Sequence, residues 1–159
     1  MPDLQDDHHL RSNAGTLHRR LTCGAVHETS IAVRWGELDP YQHVNHAAYL
    51  SYLEHARIAA LESIGWGMEA IAAAGRRVVV ARIDVHFRAP ARGGDRLTVG
   101  TGIVELRRAG STWRQTIRSR DRLLVDATVV AACTDLHGRP ARTPPRLQEA
   151  LQALITVAG

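Results

Sequence analysis

Lysine is absent from this chain: all 20 basic residues among its 159 are arginine. Set against 16 acidic residues, they leave a formal net charge of +4. The arginines are scattered rather than clustered, and aromatic side chains for base stacking make up only 4% of the composition, so the excess does not read as a nucleic-acid surface. A coding bias toward arginine on a solvated surface accounts for it, and such a surface would still suit an anionic small molecule. Cysteine is nearly as scarce. Cys23 and Cys133 are too few for a disulfide framework and lack the paired spacing of a zinc site, which fits a reducing cytoplasm. No stretch approaches the roughly 20 apolar residues of a membrane span, and Asp3, Asp6 and Asp7 stand where a secretion signal carries basic residues. Neither secretion nor membrane insertion is expected.

What is present is an ordinary globular composition, 45% apolar and 23% charged, at a length that suits one domain. Residues 1–26 are polar and without a sustained apolar period, and read as a flexible leader; residues 27–159 form the expected single domain. Ile31, Val33 and Trp35 alternate with polar neighbours as a first strand. Gly36 to Val44 breaks regular structure, and Asn45 stands where a helix N-cap would. From His46 to Ile64 there is no Pro or Gly, and Leu50, Leu53, Ala56, Ala60, Leu61 and Ile64 recur at helical spacing. Apolar residues lie around much of this helix, so other structure is expected to wrap it. A short helix follows at Met68–Ala74. Strand-like runs then lie within Arg77–Arg88, over Leu97–Ile103, over Thr112–Arg120 and over Leu123–Thr134, with turns at Gly110-Ser111 and Asp121-Arg122. Short turns favour an antiparallel meander. Leu147, Leu151, Leu154 and Ile155 supply the stripe of a C-terminal helix. The expectation is α+β: an antiparallel five-stranded sheet curled around a long central helix.

The stretch that carries chemistry is Val33-Arg34-Trp35-Gly36-Glu37-Leu38-Asp39-Pro40-Tyr41-Gln42-His43-Val44-Asn45-His46-Ala47-Ala48-Tyr49, followed by Tyr52-Leu53-Glu54-His55-Ala56-Arg57. It resembles the signature of the 4-hydroxybenzoyl-CoA thioesterase-like branch of the hotdog superfamily, in which a strand leads through an Asp-containing loop into the central helix. His86-Phe87-Arg88-Ala89-Pro90-Ala91-Arg92-Gly93-Gly94-Asp95-Arg96-Leu97 looks like that family's turn between its second and third strands. The resemblance implies a hotdog fold and hydrolysis of an acyl-CoA thioester. It also implies pairing of subunits into a homodimer or homotetramer, with sites at the subunit boundary. The string Asp39 to Asn45 is similar, too, to that of plant acyl-ACP thioesterases, which carry an asparagine where Tyr41 stands here.

The residues make chemical sense on their own. A carboxylate just before a helix N-terminus faces unpaired amides and the positive end of the macrodipole, a place suited to developing negative charge. Thioester hydrolysis needs a carboxylate that activates water or attacks the carbonyl, here Asp39, and donors for the tetrahedral oxyanion. By resemblance the polarising amide is the backbone N–H of His46. His43 could orient Asp39, contact the acyl group, act as a base or simply pack. Asn45 is expected as the cap and Tyr49 beside the substrate. Arg88 and Arg92, with Arg118 and Arg120, are candidates for the nucleotide phosphates. Glu54 is expected to pair with Arg57, catalysis being its other reading. His46, His55 and His86 have no metal-ligand spacing, so neither metal nor cofactor is expected. A non-catalytic acyl-CoA or acyl-carrier binding module and a regulatory scaffold are the readings from other classes, and the Asp39-to-helix arrangement favours the enzyme over both.

Overall fold

In the computed structural model, which describes residues 26–156, the apolar alternations become strands and the long uninterrupted stretch becomes a helix. The expected leader lies outside the described residues except for Val26. Five strands form: β1 (His27–Ala32), β2 (Arg77–Phe87), β3 (Arg96–Arg107), β4 (Gly110–Ser119) and β5 (Arg122–Thr134). The helices are α1 (His46–Ser63), α2 (Met68–Ala73) and α3 (Pro145–Leu151). The strands make one sheet in the order β1-β3-β4-β5-β2, every neighbouring pair antiparallel.

That order corrects the expected meander. Only β3, β4 and β5 follow one another; β2 docks outside β5, at the edge opposite β1. The connection from Arg88 to Asp95 must therefore cross the end of the sheet to reach β3. This crossing carries Ala89, Pro90 and Ala91 past the start of α1 and supplies one wall of the groove described below.

The helix α1 lies on one sheet face. Tyr49, Tyr52, Leu53, Ala56, Ala60 and Leu61 are buried there, over Leu97, Val99, Ile103, Ile117, Val125 and Val129 of the strands. Burying each large apolar side chain contributes about 1.5–3 kcal/mol, so this contact is the main source of stability. The sheet packs against one side of the helix, and Leu50, Ser51, Glu54 and His55 on its other side face outward. Glu54 does not form the expected ion pair. Arg57 instead points inward, its Nη1 donating to Gln115 Oε1 at 2.7 Å, while Gln115 Nε2 donates to the Leu53 carbonyl at 2.9 Å and to Thr101 Oγ1 at 3.0 Å. Burial pushes the Arg57 guanidinium below its ordinary pKa, and the Glu54 charge works the other way.

Three boundaries differ from the sequence reading. The first strand ends at Ala32, because the Glu37 carboxylate accepts from the Arg34 amide at 2.7 Å and turns Trp35–Glu37 into a short 3-10 helix; Trp35 is left 78% exposed. The turns sit one or two residues earlier than expected, at Arg108-Ala109 and Arg120-Asp121. Gly110 belongs to β4 for a steric reason: a Cβ there would strike the carbonyl oxygen of Ala131 on β5. The C-terminal helix is short, and a 3-10 turn at Gln152–Leu154 leads Ile155 into a parallel bridge with Ile103.

Candidate active site

Everything in the segment after β1 serves to hold one carboxylate at the start of α1. Leu38 and Val44 pair as a two-residue bridge, and the Asp39 amide donates to the His43 carbonyl at 2.8 Å, closing a tight loop whose Gln42 takes a φ of 62°. Inside it Asp39 Oδ1 accepts from the amides of Tyr41 (2.8 Å) and His43 (3.1 Å). These local bonds are the turn chemistry that aspartate supplies best. They engage one oxygen only. Among the described residues Oδ2 has no protein donor and is left for chemistry.

Asn45 caps α1 as expected, Oδ1 accepting from the Ala47 amide at 2.9 Å, and the Ala48 amide bonds the Asn45 carbonyl at 3.0 Å. His46 is the first helical residue, and its amide donates to no protein group among the described residues. A free donor at the positive end of an 18-residue helix thus stands seven residues after the carboxylate.

These groups meet in a groove of about 320 Å³ lined by Asp39, His43, Val44, His46, Tyr49, Phe87, Arg88, Ala89 and Pro90. The predicted residues Asp39, His43, His46, Tyr49 and Arg88 are therefore brought together, with Asn45 directly behind. Arg92 is not: its backbone pairs with His43 and bonds the Asp95 carboxylate, but it does not line the groove. Tyr49 does more than face the groove. Its Oη accepts from the Ala91 amide at 2.9 Å, and the Ala91 carbonyl accepts from the Val44 amide at 2.9 Å, so the phenol ties the crossing connection to the Asp39 loop. Burial raises the Tyr49 phenol above its ordinary pKa, the Ala91 bond opposing this. Arg88 reaches Asp126 at 4.0 Å, a mostly solvated contact of little energetic weight.

Sequence reasoning gave no role to Phe87, whose ring lies 5.6 Å from that of Tyr49 and forms the apolar wall of the groove, or to the contact between Tyr52 and Glu37. A larger cleft of about 380 Å³ on the opposite sheet face is lined by Arg82, Asp84, His86, Arg114 and Asp126, whose charges pair with one another. No cluster of three metal-ligating side chains occurs among the described residues.

A family model described as the thioesterase-like superfamily matches residues 33–151, from the end of β1 through α3. The chain belongs to the thioesterase-like superfamily. Within it, the chain is 33% identical over 134 residues to the long-chain acyl-CoA thioesterase FadM of Escherichia coli, the match covering 80% of this chain and 98% of that one. It is 30% identical over 124 residues to the acyl-acyl carrier protein thioesterase ATL3 of Arabidopsis thaliana, covering 77% of this chain and 65% of that one. A thioesterase of Thermus thermophilus solved with coenzyme A and Zn superposes with a TM-score of 0.71 at 32% identity, covering 84% of this chain and 96% of that one. The five-stranded antiparallel sheet with α1 across one face is the hotdog fold of this superfamily, and the stretches Val33 to Tyr49, Tyr52 to Arg57 and His86 to Leu97 that carried the resemblance lie inside the matched region. No described helix of this thioesterase-like chain is long and apolar enough to cross a membrane.

Proposed function

We propose that this thioesterase-like protein hydrolyses an acyl-CoA thioester to the free acid and CoA, with Asp39 as general base or nucleophile and the His46 amide as the oxyanion donor. The observation that carries this reading is the pairing, in one groove, of a carboxylate oxygen and a helix-end amide that have no hydrogen-bond partner among the described residues. In the base form of the mechanism Asp39 takes a proton from water as the oxygen attacks the thioester carbon. The carbonyl oxygen gains negative charge against the His46 amide, and collapse of the intermediate expels the CoA thiolate, which is then protonated. In the nucleophile form Asp39 attacks the thioester carbon and the C–S bond breaks to expel the CoA thiolate, which is protonated; water then opens the resulting anhydride to the free acid and restores the Asp39 carboxylate. A donor at the oxyanion is worth about 10²–10³ in rate, so the helix end and the carboxylate contribute on similar scales.

The rest of the groove divides by polarity. Phe87, Val44, Ala89 and Pro90 offer an apolar wall for the acyl group beside Tyr49, while Arg88 at the rim suits a phosphate of CoA. His43 and Asn45 hold the loop and the helix end; Arg92, bridged to His43 through its backbone but outside the lining, is left to the nucleotide. Similarity to FadM and to the CoA-bound Thermus enzyme supports CoA as the carrier, and similarity to ATL3 makes an acyl-carrier protein the second reading. A homodimer or homotetramer would complete the groove on its open side, where the outer edge of β2 pairs with no strand among the described residues and exposes Val80, Ile83 and Phe87. The two isolated cysteines suit a cytoplasmic location.

Release of free thiol from short, long and aromatic acyl-CoAs, with the same acyl groups on a carrier protein, tests the activity and fixes the carrier. Asp39→Asn keeps an oxygen for the Tyr41 and His43 amides and so preserves the loop. It should lower kcat by about 10²-fold or more, the scale of general-base catalysis. Wild-type turnover by this variant in its folded form would remove Asp39 from the mechanism.

A further inference from the structure

The carboxylate and the oxyanion donor of the proposed site sit on different pieces of chain, the loop after β1 and the first turn of α1, and their separation must be held by something outside the loop. Glu37 touches both pieces. Its Oε2 accepts from Tyr52 Oη at 2.5 Å and from the Arg34 amide at 2.7 Å, and its backbone carbonyl accepts from the Asn45 amide at 2.8 Å. Tyr52 is buried on α1, two turns below the helix tip, where its position is set by the core and by an edge-on contact with Tyr49 at 6.0 Å between ring centroids. One bond thus fixes the entry to the loop against the body of the helix, and a second fixes the cap residue against the same glutamate. On the far side of the loop the Tyr49–Ala91–Val44 chain of hydrogen bonds does the same.

We infer that Glu37 and Tyr52 are positioning residues for the hydrolysis: their mutual hydrogen bond sets where the Asp39 carboxylate stands relative to the His46 amide. The inference rests on the Asp39 reading above. Neither residue lines the groove that holds Asp39 and His46; both face a separate trough on the β1 side of α1, with Ser51 and His55, so neither is placed to touch the thioester. Their influence runs through the loop. A bond of this kind, short and with an ionised acceptor, is among the stronger ones a protein makes. Reacting groups displaced by about 1 Å can lose on the order of 10²-fold in rate, which sets the scale of the effect.

The test compares kcat and KM of Tyr52→Phe, Glu37→Ala and Glu37→Gln with wild type on one acyl-CoA that the wild type turns over, alongside thermal melting curves. Tyr52→Phe and Glu37→Ala should lower kcat by about 10-fold or more while KM stays within about twofold, the pattern of a lost transition-state arrangement and not of lost binding. Glu37→Gln keeps an oxygen that can accept from both Tyr52 and the Arg34 amide, and should hold kcat within about threefold of wild type; a purely structural role would not separate it from Glu37→Ala in kcat at a temperature where both are folded. Wild-type kcat in folded Tyr52→Phe, or equal kcat in the two Glu37 variants, overturns the inference. Should Tyr52→Phe fail to fold, the Glu37 pair decides alone. Asp39→Asn assayed in parallel keeps the two ideas apart. If it turns over like wild type the base or nucleophile assignment has failed; if it is inactive while Tyr52→Phe is normal, only the positioning role has.

Discussion

At Asn45 side chain and backbone act on the same helix end, Oδ1 holding the Ala47 amide and the Asn45 amide held by Glu37. Replacing a capping Asn by Ala costs about 1 kcal/mol, which for a domain of this size lowers Tm by about 3–6 °C. Asn45→Ala should show that loss in a melting curve together with reduced kcat, and Asn45→Ser should recover most of both. These residues were legible in the sequence because their bonds are local: an aspartate reaches amides two and four residues ahead, and an asparagine cap reaches two ahead. The Glu37–Tyr52 contact spans 15 residues, and only the placement of α1 on the sheet brings it about. Both names stood within the recognised motif, and no spacing rule links them.

The strands and α1 could be read from alternation and from an unbroken helical stretch, since burial of one face imposes those periods directly. Their order could not. Alternation says which face of β2 is apolar but is silent on whether β2 lies beside β3 or beyond β5, a choice settled by which arrangement lets Val78, Val85 and their neighbours meet Cys133 and Ala127 across the sheet. The inward Arg57 escaped the reading for a similar reason: its partner Gln115 sits on β4, 58 residues away, and helix spacing pointed to Glu54 instead. Gln115→Leu would strand a buried guanidinium without its acceptor, a loss of about 2–3 kcal/mol in denaturant unfolding. The double variant Arg57→Met with Gln115→Leu should regain part of that loss, because it removes the buried charge along with its partner. At the β4–β5 junction, Gly110→Ala forces a Cβ into the Ala131 carbonyl; destabilisation of about 2 kcal/mol or more, by the same measurement, is expected from such a clash between backbone elements.

For the molecule as a whole the outer edge of β2 is the open feature: it pairs with no strand among the described residues. Phe87 is 53% exposed, Val80 49% and Ile83 36%; their partners Val125, Ala131 and Val129 on β5 are core residues, which puts all three on the α1 face, and Phe87 lines the groove. Apolar side chains along a free strand edge favour pairing with another copy. Ile83→Lys should therefore shift the protein toward single-copy mass in light scattering and lower its turnover without changing its far-ultraviolet circular dichroism. An unchanged mass would count against the proposed self-association through this edge. The crossing from β2 to β3 has a further consequence in time. Ala89 and Pro90 stand beside Asp39 only once the edge strand furthest from β1 has docked, so a chain with just its central hairpins formed would leave the proposed catalytic carboxylate with one wall of its groove missing. Turnover then reports completion: during refolding it should return with the slowest phase, after most of the backbone signal has already recovered.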